Sequence, residues 1–64
     1  MRVVIGEDET LLRLGLRSML DDAGFDVVGT AGDAGRLIEL VTVHQPDLVV
    51  TDIRMPPDPR DDGL

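Results

Sequence analysis

The sequence predicts an α/β domain built on a parallel sheet, and three observations carry this prediction. Short runs rich in β-branched residues, at positions 3–5, 25–29 and 48–50, are separated by two stretches with helical periodicity. The first and third runs contain no polar residue, which is typical of strands buried on both faces of a parallel sheet. Strands that alternate with helices imply right-handed crossovers, so the order β-α-β-α-β is expected to form the first half of a doubly wound sheet.

The first helix is predicted over residues 10–22, where apolar residues recur at the spacing of one helical face. Its predicted core stripe consists of Leu12, Leu16, Met19 and Leu20. Asp8 or Thr10 is expected to cap the start of this helix, because short oxygen-bearing side chains accept hydrogen bonds from the free N–H groups there. Gly24 is expected to end the helix in the left-handed conformation.

The second helix is predicted to begin after Asp33, its expected cap, and to end before Pro46. Its predicted buried stripe consists of Ala34, Leu37, Ile38 and Val41. His44, near the end of this helix, is expected to interact with the helix dipole and is assigned no chemistry. Residues 55–64 contain three prolines and three aspartates and are predicted to form a loop.

Composition narrows the class of protein. The chain has 64 residues and a formal net charge of −7, and its six basic residues are all arginines. This length is that of one small domain, and the acidic balance argues against a nucleic-acid surface, which needs a basic stripe. With no Cys and one His, the chain offers no disulfide, thiolate zinc site or multi-His metal site. Its apolar runs are too short to span a bilayer and acids follow the first strand at once, so we expect no membrane segment and no export signal.

Acidic residues stand at the predicted carboxyl ends of two strands. Glu7 and Asp8 follow the first strand, and Asp52 follows the third. If the second crossover passes to the other side of strand one, strands one and three are neighbours. The three carboxylates then converge at the sheet edge where open α/β sheets bind ligands. Clustered carboxylates favour a bound cation, and all-oxygen ligands suit Mg²⁺ or Mn²⁺. A carboxylate beside such a cation is also a suitable phosphoryl acceptor.

Four motifs of the chain point to a known family. They are Glu7-Asp8, Gln45-Pro46-Asp47, Asp52-Ile53-Arg54-Met55-Pro56 and Asp62-Gly63. In type and spacing these motifs resemble those of the receiver domain of two-component response regulators, and the resemblance spans essentially the whole chain. It implies a truncated, flavodoxin-like, doubly wound parallel sheet with strand order 2-1-3.

The resemblance also implies a role for individual residues. Asp52 is the expected phosphoacceptor and a metal ligand. Asp8 is the expected direct metal ligand, Glu7 is expected to reach the metal through water, and Arg54 is expected to contribute its backbone carbonyl. The implied cofactor is Mg²⁺, or Mn²⁺ in its place, and the implied phosphoryl donor is a sensor histidine kinase. The implied protein is cytoplasmic and regulates transcription; it is not an enzyme, since receivers catalyse only their own phosphorylation.

By the same resemblance, residues 1–64 are the N-terminal half of a receiver domain. A receiver continues through two further strands and three further helices, which carry a Ser or Thr, a Lys and an aromatic residue of the site. The sequence is most like regulators with a C-terminal helix-turn-helix domain, so DNA contact is expected only from an output domain beyond residue 64. The alternative is a signalling-inactive fragment that is unfolded or self-associates through its third strand, which would lack its usual neighbour.

Three other classes of function fit the sequence less well. A dinucleotide-binding enzyme requires a glycine-rich turn after the first strand, where two acids stand instead. A phosphohydrolase of the Asp-x-Asp type requires an acid two residues after the nucleophile, where Arg54 stands. Residues 58–63 resemble the start of an EF-hand loop, but its closing glutamate would fall beyond the chain.

Overall fold

The computed structural model describes residues 1–52 as three strands and two helices. The elements are β1 (Arg2–Gly6), α1 (Thr10–Asp22), β2 (Asp26–Ala31), α2 (Ala34–His44) and β3 (Leu48–Thr51). Their order is the predicted β-α-β-α-β, and the loop predicted for residues 55–64 lies outside the described residues. β2 extends two residues further than predicted, because its pairing with β1 continues through Thr30 and Ala31. In this part of the chain, neither helix is long and apolar enough to cross a membrane.

The three strands form one parallel sheet in the order β2-β1-β3, which confirms the predicted topology. β1 therefore has a strand on each side. Its residues Val3, Val4 and Ile5 have 0% exposed surface, so both of its faces are covered. This burial agrees with the prediction that an unbroken β-branched run marks a central parallel strand.

The two faces of the sheet carry different helices. Val4 belongs to a buried cluster with Ala31 of β2 and with Leu37 and Leu40 of α2. Because side chains alternate along a strand, Val3 and Ile5 lie on the other face, which is left to α1. The first crossover runs from β1 to β2, and the second runs from β2 past β1 to β3, in the opposite direction along the sheet. Right-handed connections in opposite directions put the two helices on opposite faces.

The predicted core stripe of α1 is wrong, because no residue of this helix is buried. Leu12 is 46% exposed and Met19 is 60% exposed, while Leu16 and Leu20 are half-buried. The periodicity identified the helix correctly. However, α1 packs mainly on β1 and β2 within the described residues, and no second helix packs closely against it there.

The predicted stripe of α2 is partly wrong. Leu37 is buried as expected, and Ala34 and Val41 are half-buried. Ile38, however, is 54% exposed, whereas Leu40 is 7% exposed and was not included. The helix faces the sheet along the line of positions 37, 40 and 41, and the spacing of apolar residues did not determine that rotation.

The helix ends confirm one predicted cap and contradict another. Asp33 caps α2, since its Oδ1 accepts a hydrogen bond of 2.8 Å from the Arg36 N–H. The N-cap of α1 is Glu9, which makes no side-chain capping bond, so neither Asp8 nor Thr10 fills that role. Gly24 adopts a φ of 92° after α1, as predicted for a helix stop.

Candidate functional site

The carboxyl ends of the three strands are level with one another. Gly6, the last residue of β1, is paired with Ala31 of β2 and with Thr51 of β3. The pairing continues one step further, because the Glu7 N–H donates to the Ala31 carbonyl (2.9 Å) and the Asp52 N–H donates to the Gly6 carbonyl (3.0 Å). The loop after β1 and the residue after β3 therefore lie side by side at the carboxyl edge of the sheet, where all three strands end.

Glu7 is the buried charged residue of this edge, with 2% of its surface exposed. One carboxylate oxygen, Oε1, accepts a hydrogen bond of 3.1 Å from the Glu9 N–H. The other, Oε2, is buried and has no hydrogen-bond partner among residues 1–52. Burying a charged oxygen without a partner is costly. This atom is therefore suited to a donor or a cation that the described residues do not supply.

Asp8 and Asp52 are both exposed, in contrast to Glu7. Asp8 follows Glu7 in the loop between β1 and α1, and Asp52 follows the last residue of β3. Their carboxylates are thus open to solvent at the edge where the strands end. Arg54 and Asp62, the other residues expected from the resemblance, lie outside the described residues.

The backbone brings three acidic positions to one edge, but their side chains do not form a closed cluster. Within residues 1–52, no group of three or more His, Cys, Asp or Glu side chains could hold a metal ion. Two bare carboxylates about 4 Å apart repel by about 4 kcal/mol at an effective dielectric constant near 20, which favours separated side chains. The metal-ligand assignments of Glu7, Asp8, Asp52 and Arg54 stay predictions.

Sequence reasoning missed a contact between α1 and this edge. The Arg13 Nη1 donates a hydrogen bond of 2.8 Å to the backbone carbonyl of Glu7. The guanidinium lies against Gly32, where an added Cβ would come within 2.8 Å of Nη1. The sequence shows a basic residue early in the helix after the acidic loop and a glycine directly after β2, but nothing in their spacing links the two.

At the amino ends of the strands, an acidic residue holds two strands together and has no part in the candidate site. Asp47 lies before β3, where its Oδ2 accepts a hydrogen bond of 2.8 Å from the Arg2 N–H and its own N–H donates to the Arg2 carbonyl (2.9 Å). Asp47 therefore ties the start of β3 to the start of β1. His44 is the last residue of α2, consistent with its expected interaction with the helix dipole.

Comparisons with known proteins agree with this fold. A family model described as the response regulator receiver domain matches residues 3–64. The transcriptional regulatory protein PdtaR of Mycobacterium tuberculosis is 48% identical over 63 residues, which are 98% of this chain and 29% of that protein. The transcriptional regulatory protein HptR of Staphylococcus aureus is 44% identical over 57 residues, which are 86% of this chain and 23% of that protein.

A solved structure gives the same result. The isolated REC domain of RcsB from Salmonella enterica serovar Typhimurium, determined in the presence of the phosphomimetic BeF3-, has a TM-score of 0.78 and 30% sequence identity. The match covers 92% of this chain and 44% of that domain. The chain thus spans less than a third of its curated relatives and under half of the solved domain. Its relatives are regulators and not a family of enzymes, and the chain belongs to the response regulator receiver domain family.

Proposed function

We propose that this chain is the phosphoacceptor part of a response regulator, in which Asp52 takes a phosphoryl group from a sensor histidine kinase. One observation carries the proposal. β1 and β3 are parallel neighbours with level carboxyl ends, and the Asp52 N–H is bonded to the Gly6 carbonyl. The acceptor therefore follows β3 at the same edge as the two acids that follow β1. Family membership and the relatives' names support a role in transcriptional regulation.

The proposed reaction is an in-line transfer. A carboxylate oxygen of Asp52 attacks phosphorus opposite the bond between phosphorus and the imidazole nitrogen of the kinase histidine. The new O–P bond forms as the N–P bond breaks. The electron pair of that bond stays on the imidazole nitrogen, which takes up a proton. Asp52 suits this role because it is exposed to solvent, while its backbone N–H is hydrogen-bonded to β1.

The oxygen atoms at this edge are of the type that a divalent cation such as Mg²⁺ prefers. The Glu7 Oε2 is a buried oxygen without a partner among the described residues, and a cation or its water would complete it. We propose that Asp8 and Asp52 bind Mg²⁺ directly, that Glu7 binds it through water, and that the Arg54 carbonyl contributes. Mg²⁺ bound there would neutralise charge on the phosphoryl oxygens.

The phosphoacceptor role is tested with a small phosphodonor. Acetyl phosphate and Mg²⁺ should modify the chain at Asp52, as mapped by mass spectrometry, and Asp52→Asn should abolish the modification. The matched control is Asp22→Asn, which removes an exposed acid at the far end of α1 and should leave the yield unchanged. Modification at Asp47 or Asp58 instead of Asp52 would contradict the assignment.

The same pair of variants is measured in a chimera, because groups outside this chain contribute to the site of a complete receiver. In the chimera, residues 1–64 are followed by the part of the RcsB domain that the chain does not match. We expect a higher yield there than in the chain alone, since charge-assisted hydrogen bonds to the phosphoryl oxygens are restored.

The metal is tested separately by thermal unfolding. Mg²⁺ should stabilise the folded chain by about 2.7 kcal/mol at a concentration of 100 Kd, because it binds the folded state preferentially. Asp8→Ala should remove this stabilisation, and Asp22→Ala should retain it. A folded sample whose midpoint is indifferent to Mg²⁺ would show that the cation site is not assembled.

A second candidate function is favoured by the exposure of β3. Leu48 and Val49 are 40% and 37% exposed, although both belong to an apolar strand. We propose that residues 1–64 are the N-terminal part of a receiver whose remaining strands cover β3. Without them, the chain would be a signalling-inactive fragment that is largely unfolded or associates through β3.

A further inference from the structure

We propose that Arg13 is a positioning residue, which holds the loop between β1 and α1 in the geometry that presents Glu7 and Asp8 to a divalent cation. This inference rests on the function proposed above and extends it to a residue outside the acidic set. It starts from the hydrogen bond of 2.8 Å that the Arg13 Nη1 donates to the Glu7 carbonyl.

Both backbone polar groups of Glu7 are bonded across the edge of the sheet. Its N–H donates to the Ala31 carbonyl at 2.9 Å, and its carbonyl accepts from Arg13. These two bonds join the loop to β2 on one side and to α1 on the other. The first holds the peptide before Glu7 and the second holds the peptide between Glu7 and Asp8, so they fix the backbone orientation on both sides of Glu7. The direction in which both acidic side chains leave the backbone follows from that orientation.

Arg13 reaches the loop from a fixed place on α1. Its own N–H donates to the Glu9 carbonyl at 2.9 Å, which closes the first turn of the helix. The side chain then spans six residues back to Glu7 and is half-buried. A planar guanidinium holds such a geometry better than a lysine ammonium, because its donors have fixed directions.

Gly32 supplies the space for this guanidinium. A Cβ at that position would lie 2.8 Å from the Arg13 Nη1, closer than side chains are found to approach. Gly24 is the glycine with a positive φ among the described residues, so the backbone at Gly32 does not itself require glycine. Glycine at position 32 therefore leaves room for the guanidinium in this place, and a Cβ there would displace the flexible end of the Arg13 side chain.

Charge and position make opposite predictions at this site. A positive guanidinium near a divalent cation repels it, so a purely electrostatic role predicts tighter metal binding when Arg13 loses its charge. A positioning role predicts weaker binding, because the acids lose their fixed orientation. The sign of the change in metal affinity therefore separates the two roles without reference to phosphorylation.

The test measures Mn²⁺ binding by electron paramagnetic resonance of the free ion. Arg13→Gln removes the charge and the fork of donors, Arg13→Lys keeps the charge, and Gly32→Ala displaces the guanidinium without changing any charge. We expect each to weaken Mn²⁺ binding, by about tenfold for Arg13→Gln, the size typical of residues that orient metal ligands. Matched controls are Arg17→Gln, at an exposed arginine, and Gly15→Ala, where an added Cβ meets nothing within 4 Å.

Loss of folding is separated from loss of positioning by a further control. Gly24→Ala strains the backbone at a φ of 92°, at the opposite end of α1, and should lower the unfolding midpoint while the folded fraction keeps its Mn²⁺ affinity. The whole series is run in the chain and in the chimera, with circular dichroism to define the folded fraction.

The outcomes distinguish this inference from the proposed function. If the wild type binds Mn²⁺, Asp8→Asn loses it and the three Arg13 and Gly32 variants weaken it, the positioning role is supported. Unchanged or tighter binding in Arg13→Gln, with Asp8→Asn still defective, overturns the positioning role alone. Absence of Mn²⁺ binding in the folded wild-type chimera overturns the proposed metal site and the role of Arg13 together.

Discussion

β1 and β3 have nearly the same composition but very different burial. β1 contains Val3-Val4-Ile5 and β3 contains Leu48-Val49-Val50, and the two strands are paired in register. The β1 residues have 0% exposed surface, whereas Leu48 is 40% and Val49 is 37% exposed. Burial in this sheet is therefore set by the position of a strand and not by its hydrophobicity.

The physical reason lies in the neighbours of each strand. β1 lies between two strands, and both helices pack on it. β3 has β1 on one side, and within residues 1–52 both helices pack mainly on β1 and β2. An apolar strand at the side of a sheet presents apolar surface and backbone groups that another strand can cover. The comparison thus predicts where the fold is stabilised and where it is open to association.

The largest expected effect is a difference in stability between variants of two valines that are paired on neighbouring strands, Val4 of β1 and Val49 of β3. Val4→Ala should lower the free energy of unfolding by about 2–3 kcal/mol, from two lost methyl groups plus the cavity left behind. Val49→Ala, the same change at its register partner, should cost less than about 1 kcal/mol because that side chain is already partly exposed. Urea unfolding of both variants in the 64-residue chain, which lacks the strands proposed to cover β3, measures the difference. Equal losses would mean that β3 is covered as well as β1 is.

A smaller effect is expected on association. Val50→Lys should weaken self-association of the 64-residue chain by about tenfold, equal to about 1.4 kcal/mol, since a lysine on an edge strand opposes pairing with another chain. It should not restore a stable monomer. Val43→Lys makes the same change at a 75% exposed position of α2 and should leave association unchanged. Sedimentation velocity over a range of concentrations measures both; a cooperatively folding monomer of the unmodified chain at high concentration would contradict association through β3.

The smallest expected effect is a difference in stability between variants of the two helix N-caps. Asp33→Ala should cost about 1 kcal/mol, because it removes the hydrogen bond to the Arg36 N–H at the start of α2. Glu9→Ala should cost only a few tenths of a kcal/mol, because the Glu9 side chain makes no capping bond at the start of α1. Thermal unfolding of the two variants in the chimera measures both values. A large loss of stability for Glu9→Ala would show that its carboxylate makes a stabilising interaction other than a capping bond.

The sequence by itself determined the elements of this protein and their order. Unbroken β-branched runs predicted the strands, apolar periodicity predicted the helices, and the side chain of Asp33 predicted the start of α2. Alternation of strands and helices, with the resemblance to a known family, predicted a parallel sheet in the order 2-1-3. These features follow from local chemistry and from the handedness of crossovers, both of which can be read along the chain.

The candidate site could be predicted only in part. That acids follow β1 and β3 is visible in the sequence, and parallel pairing of the two strands places both loops at one edge. The burial of Glu7, and the reach of Arg13 across Gly32 to its carbonyl, could not be predicted. Each depends on the distance between a helix and a loop, which no residue spacing specifies.

Only the tertiary structure decided which apolar residues are buried. The stripe of α1 has the periodicity of a core helix, yet none of its residues is buried, and α2 uses Leu40 where Ile38 was expected. Periodicity indicates that a helix has an apolar face, but burial also requires a neighbouring surface that covers that face. The arrangement of neighbours around each element supplies that surface, and within residues 1–52 it favours β1 and α2 over β3 and α1.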